Sequence, residues 1–199
     1  MTNKYLTASR GGIAGLVGVV LIALGLAEGG FVDNKDDPGG ATNYGITEQV
    51  ARANGYTGPM KDLPKQTADA IYVTTYMDKP GFTPILELQP ALGHKVIDAG
   101  VNVGTYRASC WFQHGLNALN RNGKDYPDIT VDCKVGPATL NAYKGLERVR
   151  GKVRACTLML KLMDVQQGAH YMSLTNLETF TPGWVDHRIG NVPTSDCLQ

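Results

Sequence analysis

Charge is scarce in this chain, and so are aromatic rings, cysteines and histidines. Only 19% of its 199 residues are charged and 8% are aromatic, and the formal net charge is +1. A nearly neutral chain exerts no broad pull on nucleic acid or on an anionic lipid surface, so nucleic acid is not expected as a partner. The one basic stretch, Lys144 to Lys161, reads as a solvated helix face. With 43% apolar residues the chain can still bury a sizeable core, as one compact domain or one domain with a small appendage. Metal chemistry finds little support. His94, His114, His170 and His187 show no HExxH spacing, and Cys110, Cys133, Cys156 and Cys197 contain no CxxC. Zinc is therefore disfavoured, and the Asp-rich turn at 33–37 lacks the twelve-residue calcium pattern with its terminal Glu. No metal or cofactor is expected. The even cysteine count allows two disulfides with three possible connectivities if the chain is exported, and free thiols if it is not.

The longest apolar run is close to membrane length but only mildly hydrophobic. Residues 11–27, GGIAGLVGVVLIALGLA, are seventeen uncharged residues, of which five are glycine and three alanine. At ~1.5 Å per residue they reach roughly 26 Å, slightly less than a hydrocarbon core of ~30 Å. Lys4 and Arg10 precede the run and predict a cytoplasmic N-terminus with the remainder outside. Three fates compete: a signal peptide cleaved at Gly25-Leu26-Ala27, a permanent anchor, and a temporary anchor able to leave the bilayer. Glu28 follows without a linker. Cleavage after Ala27 would leave this carboxyl on a frayed end, whereas an acid catalyst needs a fixed position and a raised pKa. With the helix kept, Glu28 sits in its last turn, where the dipole and apolar neighbours both favour the neutral form. An uncleaved, releasable apolar helix in the inner membrane is therefore expected.

Helix signals dominate the remainder. Residues 31–46 are rich in turn formers and read as a loop or short hairpin. Thr47 caps a helix to Asn54 that Gly55 stops. Residues 66–77 are amphipathic, with Ala68, Ile71, Tyr72 and Thr75 on one side. Ile85 to Val103 reads as helix interrupted at Pro90, and Tyr106 to Leu119 as another. Residues 120–135 are polar and turn-rich, Gly136-Pro137 starts a short helix, and Val149 to Leu174 is the longest periodic run. FTPGWVDHRIGNVP reads as aromatic and then irregular. The fold is therefore expected to be mainly α with at most a small hairpin.

Glu28 and Asp37 are nine positions apart, a carboxyl pair of the kind that glycoside hydrolysis uses as acid and base or nucleophile, and Thr42 follows five residues on. The wording EGGFVDNKDDPGGATNYGIT resembles the signature of phage and prophage endolysins of glycoside hydrolase family 108. YTGPMKDLPKQTADAIY is similar to that family's next block. VIDAGVNVGTYRASCWFQHGLN, VDCKVGPATLNAY and FTPGWVDHR are similar to the peptidoglycan-binding region that follows it. The resemblance implies a lysozyme-like helical domain over 28–97 with a small loop or hairpin at the active site, an anchor helix over 1–27, a helical wall-binding region over 98–192 and a tail over 193–199. It makes Glu28 the catalytic acid, Asp37 the second carboxylate and Thr42 the accompanying threonine, one residue early. Asn43 and Tyr44 are candidates for the sugar cleft or for ties between loop and core. Trp184 and Arg188 match the terminal motif and are candidate wall contacts. Val103 departs from a histidine frequent in the family. Cys133 stands at the glycine of a common Asp-Gly turn and suggests a disulfide in its place.

The expected activity is hydrolysis of peptidoglycan between N-acetylmuramic acid and N-acetylglucosamine, silent while residues 11–27 hold the chain in the inner membrane and active after release to the periplasm. A lytic transglycosylase, and a wall-binding or membrane protein without chemistry, are the rival readings.

Overall fold

The computed structural model describes Gly18, Val20, residues 30–33 and residues 40–198. The expected N-terminal anchor therefore lies outside the described residues except at Gly18 and Val20, which are helical, Val20 being fully buried. Among the described residues no helix is long and apolar enough to cross a membrane. The described chain is mainly helical, as expected, and forms two compact units, one ending at Lys79 and the other beginning at Pro80.

In the first unit β1 (Thr42–Asn43) and β2 (Ile46–Thr47) pair antiparallel, Thr42 opposite Thr47 and Asn43 opposite Ile46. Tyr44 and Gly45 join them with φ of 49° and 74°. Two left-handed residues in a two-residue loop make a type I′ turn, whose twist matches that of the strands. Thr47 then caps α1 (Glu48–Ala53), its Oγ1 accepting the Val50 N–H at 3.3 Å. Gly55, at φ 86°, ends α1 as the spacing predicts, and the Tyr56 N–H returns to the Ala51 carbonyl at 3.0 Å. α2 (Lys65–Val73) continues into a wider turn over Thr74–Asp78. Ala68, Ile71 and Tyr72 are buried as their period predicts, while Thr75 accepts a hydrogen bond from Asn54 at 3.3 Å.

The second unit holds α3 (Thr83–Leu88), α4 (Pro90–Val103), α5 (Thr105–Leu119), α6 (Pro137–Arg150), α7 (Lys152–Ser173) and α8 (Thr181–Arg188), with a closing 3-10 turn, Thr194–Leu198. The expected Pro90 interruption divides α3 from α4. Gln89 is extended at φ −149°, ψ 99°, and Pro90 opens α4 where its missing N–H has no partner to lose. Ala91 to Gly100 are buried without a gap, so α4 is enclosed on every side and the other helices pack around it. The expected domain division at 97/98 falls inside this unbroken helix.

Two elements differ from the sequence reading. The long run from Val149 is broken at Gly151, φ 78°, so that its first residues end α6 and the remainder is α7. The terminal stretch, which reads as aromatic and then irregular with no helix marked, contains α8. No residue of α8 is buried, so the apolar period by which a helix is recognised is missing there. The disulfides are Cys110–Cys133 and Cys156–Cys197, and no cysteine is free. Cys133 has φ 61°, a backbone that favours the glycine expected at this turn.

Gly93 is what allows α3 to lie against α4, because a Cβ there would come within 2.3 Å of the Leu86 Cα. Alanine brings about 1 kcal/mol of helix propensity, but overpacking costs about 1–3 kcal/mol and main chain cannot rotate aside as a side chain can. Gly93→Ala should therefore lower the urea midpoint, with a net loss of roughly 2 kcal/mol. An unchanged midpoint would show that α3 does not pack there.

Candidate functional site

Glu28 and Asp37, the expected carboxyl pair, lie outside the described residues. The frame between them is described. Val32 and Thr42 exchange main-chain hydrogen bonds of 2.8 and 2.7 Å, on the edge of β1 away from β2. The segment that contains Asp37 thus leaves and returns through two residues bonded to each other, and Glu28 comes four positions before the first of them. Gly40, at φ 74°, allows the return: a Cβ there would lie 3.2 Å from the Glu48 side chain. Glu48 itself is committed locally, its carboxylate held at 2.6 Å by Arg52, which also donates to the carbonyls of Tyr56 and Gly58.

On this frame Thr42 is half-buried with its main chain fully engaged. Asn43 is buried, and its amide nitrogen donates to the carbonyls of Met60 at 2.8 Å and Lys61 at 3.4 Å, tying the hairpin to the following loop. Tyr44 is half-buried at the turn itself.

The other two candidates meet in the second unit. Trp184 and Arg188, one turn apart on α8, line a depression of about 460 Å³ together with Asn102, Thr179, Phe180 and His187. Trp184 packs between Phe180, ring centroids 5.9 Å apart, and Tyr171, 5.4 Å apart. Asn102 is oriented from behind, its Oδ1 accepting the Tyr171 hydroxyl at 2.5 Å and the Gln167 amide at 3.4 Å. Burial pushes the Tyr171 phenol up to about 12, so it remains a donor at any physiological pH. An aromatic face edged by a guanidinium, an amide and a hydroxyl suits a polar ring with apolar C–H faces.

Two charged residues that the sequence reading did not single out control this depression. Asp98, fully buried on α4, is the ion partner of Arg188. Lys95, one turn earlier and 1% exposed, forms an ion pair with Asp164 at 2.6 Å and donates to the Arg188 carbonyl at 2.6 Å and to Asn191 Oδ1 at 3.1 Å. The available signal was two opposite charges three residues apart inside the apolar stretch GHKVIDAG. Among the described residues no group of His, Cys, Asp or Glu converges as a metal site would.

Residues 23–104 match the family model Glycosyl hydrolase 108, and residues 107–189 match that of a Predicted Peptidoglycan domain. Among solved structures, that of Brucella abortus SagA is similar to this chain at 26% identity, with a TM-score of 0.65 and 95% of each chain covered. No curated protein matches it.

Removing Arg188 would leave the Asp98 charge buried without its partner, a change worth 3–5 kcal/mol for a fully enclosed pair. Arg188 is 30% exposed, so Arg188→Met should lose roughly 3 kcal/mol, the lower end of that range. The double variant Asp98→Asn/Arg188→Met should be more stable than the single in urea denaturation. A double variant at least as unstable as Arg188→Met would show that the pair is not a charge couple.

Proposed function

We propose that this chain is a lysozyme-like muramidase that cleaves the β-1,4 bond between N-acetylmuramic acid and N-acetylglucosamine, and that it lyses bacteria as a phage endolysin. Two family matches that together span residues 23–189 support a glycoside hydrolase of family 108 acting on peptidoglycan. That substrate lies outside the cytoplasm, and two disulfides fit the same compartment. The observation that carries the finer reading is that Glu28, Asp37 and Thr42 all fall inside the matched glycosyl hydrolase segment. Glu28 protonates the glycosidic oxygen as its bond to C1 breaks. Asp37 orients the attacking water or stabilises the oxocarbenium-like transition state. Water supplies the hydroxyl at C1, and its remaining proton restores Glu28. Thr42, Asn43 and Tyr44 border this chemistry on the hairpin, and Trp184 and Arg188 contact the wall polymer from the second unit.

Glu28→Gln should reduce fragment release from purified sacculi by roughly 10²–10⁴-fold without unfolding the protein. Asp37→Asn should cost less if its role is electrostatic. Reducing muramic ends in the digest fit hydrolysis. 1,6-Anhydro ends would reassign the chain as a lytic transglycosylase, and sacculus binding without release as a wall-binding protein.

The same proposal keeps residues 11–27 as an anchor that holds the enzyme inactive at the membrane and later joins the domain. The complete burial of helical Val20 supports this, since a residue destined for a core is buried in the released form. Leucine at Gly15 and Gly18 should strengthen membrane retention and delay lysis. Active soluble protein beginning at Glu28 would instead establish a cleaved signal peptide.

A further inference from the structure

An open groove of about 720 Å³ lies in the second unit between the irregular segment 126–134 and one face of α6, from Gly136 to Arg148. Its outer wall is main chain held in place by side chains of α5. Gln113 accepts the Cys133 N–H at 2.7 Å and donates to Asp132 Oδ1 at 2.8 Å and the Lys134 carbonyl at 3.0 Å. Asn117 takes both main-chain groups of Ile129, at 2.8 and 3.0 Å. Asn120 holds Asp128 at 2.6 Å, and the Cys110–Cys133 bridge ties the end of the segment to α5. With no secondary structure of its own, the wall is nevertheless fixed, so a ligand would not have to order it.

The lining indicates what kind of ligand. Ile129 is bonded back to α5, but the N–H and C=O of the next residue, exposed Thr130, have no partner among the described residues. Charges of both signs face the groove, Lys134 and Arg148 against Asp128 and Asp132, and Arg148 has no ion pair among the described residues. The sole aromatic ring in the lining, Tyr126, is buried against Gly145, with its hydroxyl on the Leu116 carbonyl at 2.7 Å. A sugar ring would therefore find no open aromatic face. An extended peptide carrying carboxylates and an ammonium group would find a main-chain donor and acceptor, two cations and two carboxylates.

We propose that this groove binds the peptide stem of peptidoglycan as an extended chain, with its carboxylates on Arg148 and Lys134, its ammonium group towards Asp128 and its main chain on Thr130. The assignment rests on the proposed function only for the identity of the polymer. It divides recognition within the second unit, stem in this groove and sugar at Trp184.

The full chain is titrated with synthetic L-alanyl-γ-D-glutamyl-diaminopimelyl-D-alanine and, separately, with glycan strands stripped of peptide by an amidase, while backbone amides are followed by NMR. The tetrapeptide should shift the amides of Thr130 and its neighbours, and peptide-free glycan should not. Arg148→Glu should weaken tetrapeptide binding about tenfold or more. Thr130→Pro, which removes the main-chain donor and leaves every charge in place, should weaken it as well. Equal shifts from peptide-free glycan, tetrapeptide binding that leaves these amides unmoved, or wild-type affinity in both variants would overturn the assignment. Sacculus digestion is read separately: stem binding without fragment release defeats the muramidase reading and leaves the groove standing, and the reverse result defeats only the groove.

Discussion

Lys95 and Asp98 lie one turn apart on a helix that is buried on all sides, and a charge taken from water costs several kcal/mol unless a partner and hydrogen bonds replace the solvent. α4 can therefore occupy the centre of the second unit only if other elements bring those partners to it. α7 supplies Asp164, and the C-terminal segment supplies the Arg188 guanidinium, the Arg188 carbonyl and the Asn191 amide oxygen. α8 buries no side chain of its own, so an apolar drive alone does not explain its position. The charges position it, and the Trp184 depression follows from where α8 comes to rest.

Side-chain amides perform a related task wherever the chain has no regular structure. Asn43 fastens the hairpin to the Met60 loop, and Asn117 and Gln113 fasten segment 126–134 to α5. An amide offers a donor and an acceptor in one plane, so a single side chain can replace a pair of main-chain bonds. The disulfides act at the same points, Cys110–Cys133 on the irregular segment and Cys156–Cys197 on the closing turn. Rigid irregular backbone is what a binding surface needs, because little freedom is then lost when a ligand arrives.

The two units suit a division between cutting and holding. The first presents a short ladder through Val32, Thr42 and Thr47, with the segment that contains Asp37 entering and leaving at one rung. The second presents an aromatic depression, positioned through the charges of buried α4, and a polar groove, whose wall is held by side chains of α5. A polymer substrate favours such separation, since contacts far from the broken bond hold the strand while small movements at the site proceed.

Local chemistry was enough to place much of this protein. Thr47, Gly55, Pro90 and Pro137 act through their own backbone geometry or capping atoms, so both limits of α1 and the starts of α4 and α6 are legible without any tertiary contact. The carboxylate-rich stretch from Glu28 to Thr47 is similarly legible, because its resemblance lies in consecutive residues. Apolar period reveals a helix only when one face is buried, so it gives no sign of α8, and it runs on across the break at Gly151. Which cysteines pair, which carboxylates answer Lys95 and Arg188, and which wall faces α6 depend on atoms distant in sequence. Those relations are set by packing around α4, and a charge or an amide gives no sign along the chain of the partner that tertiary structure will bring to it.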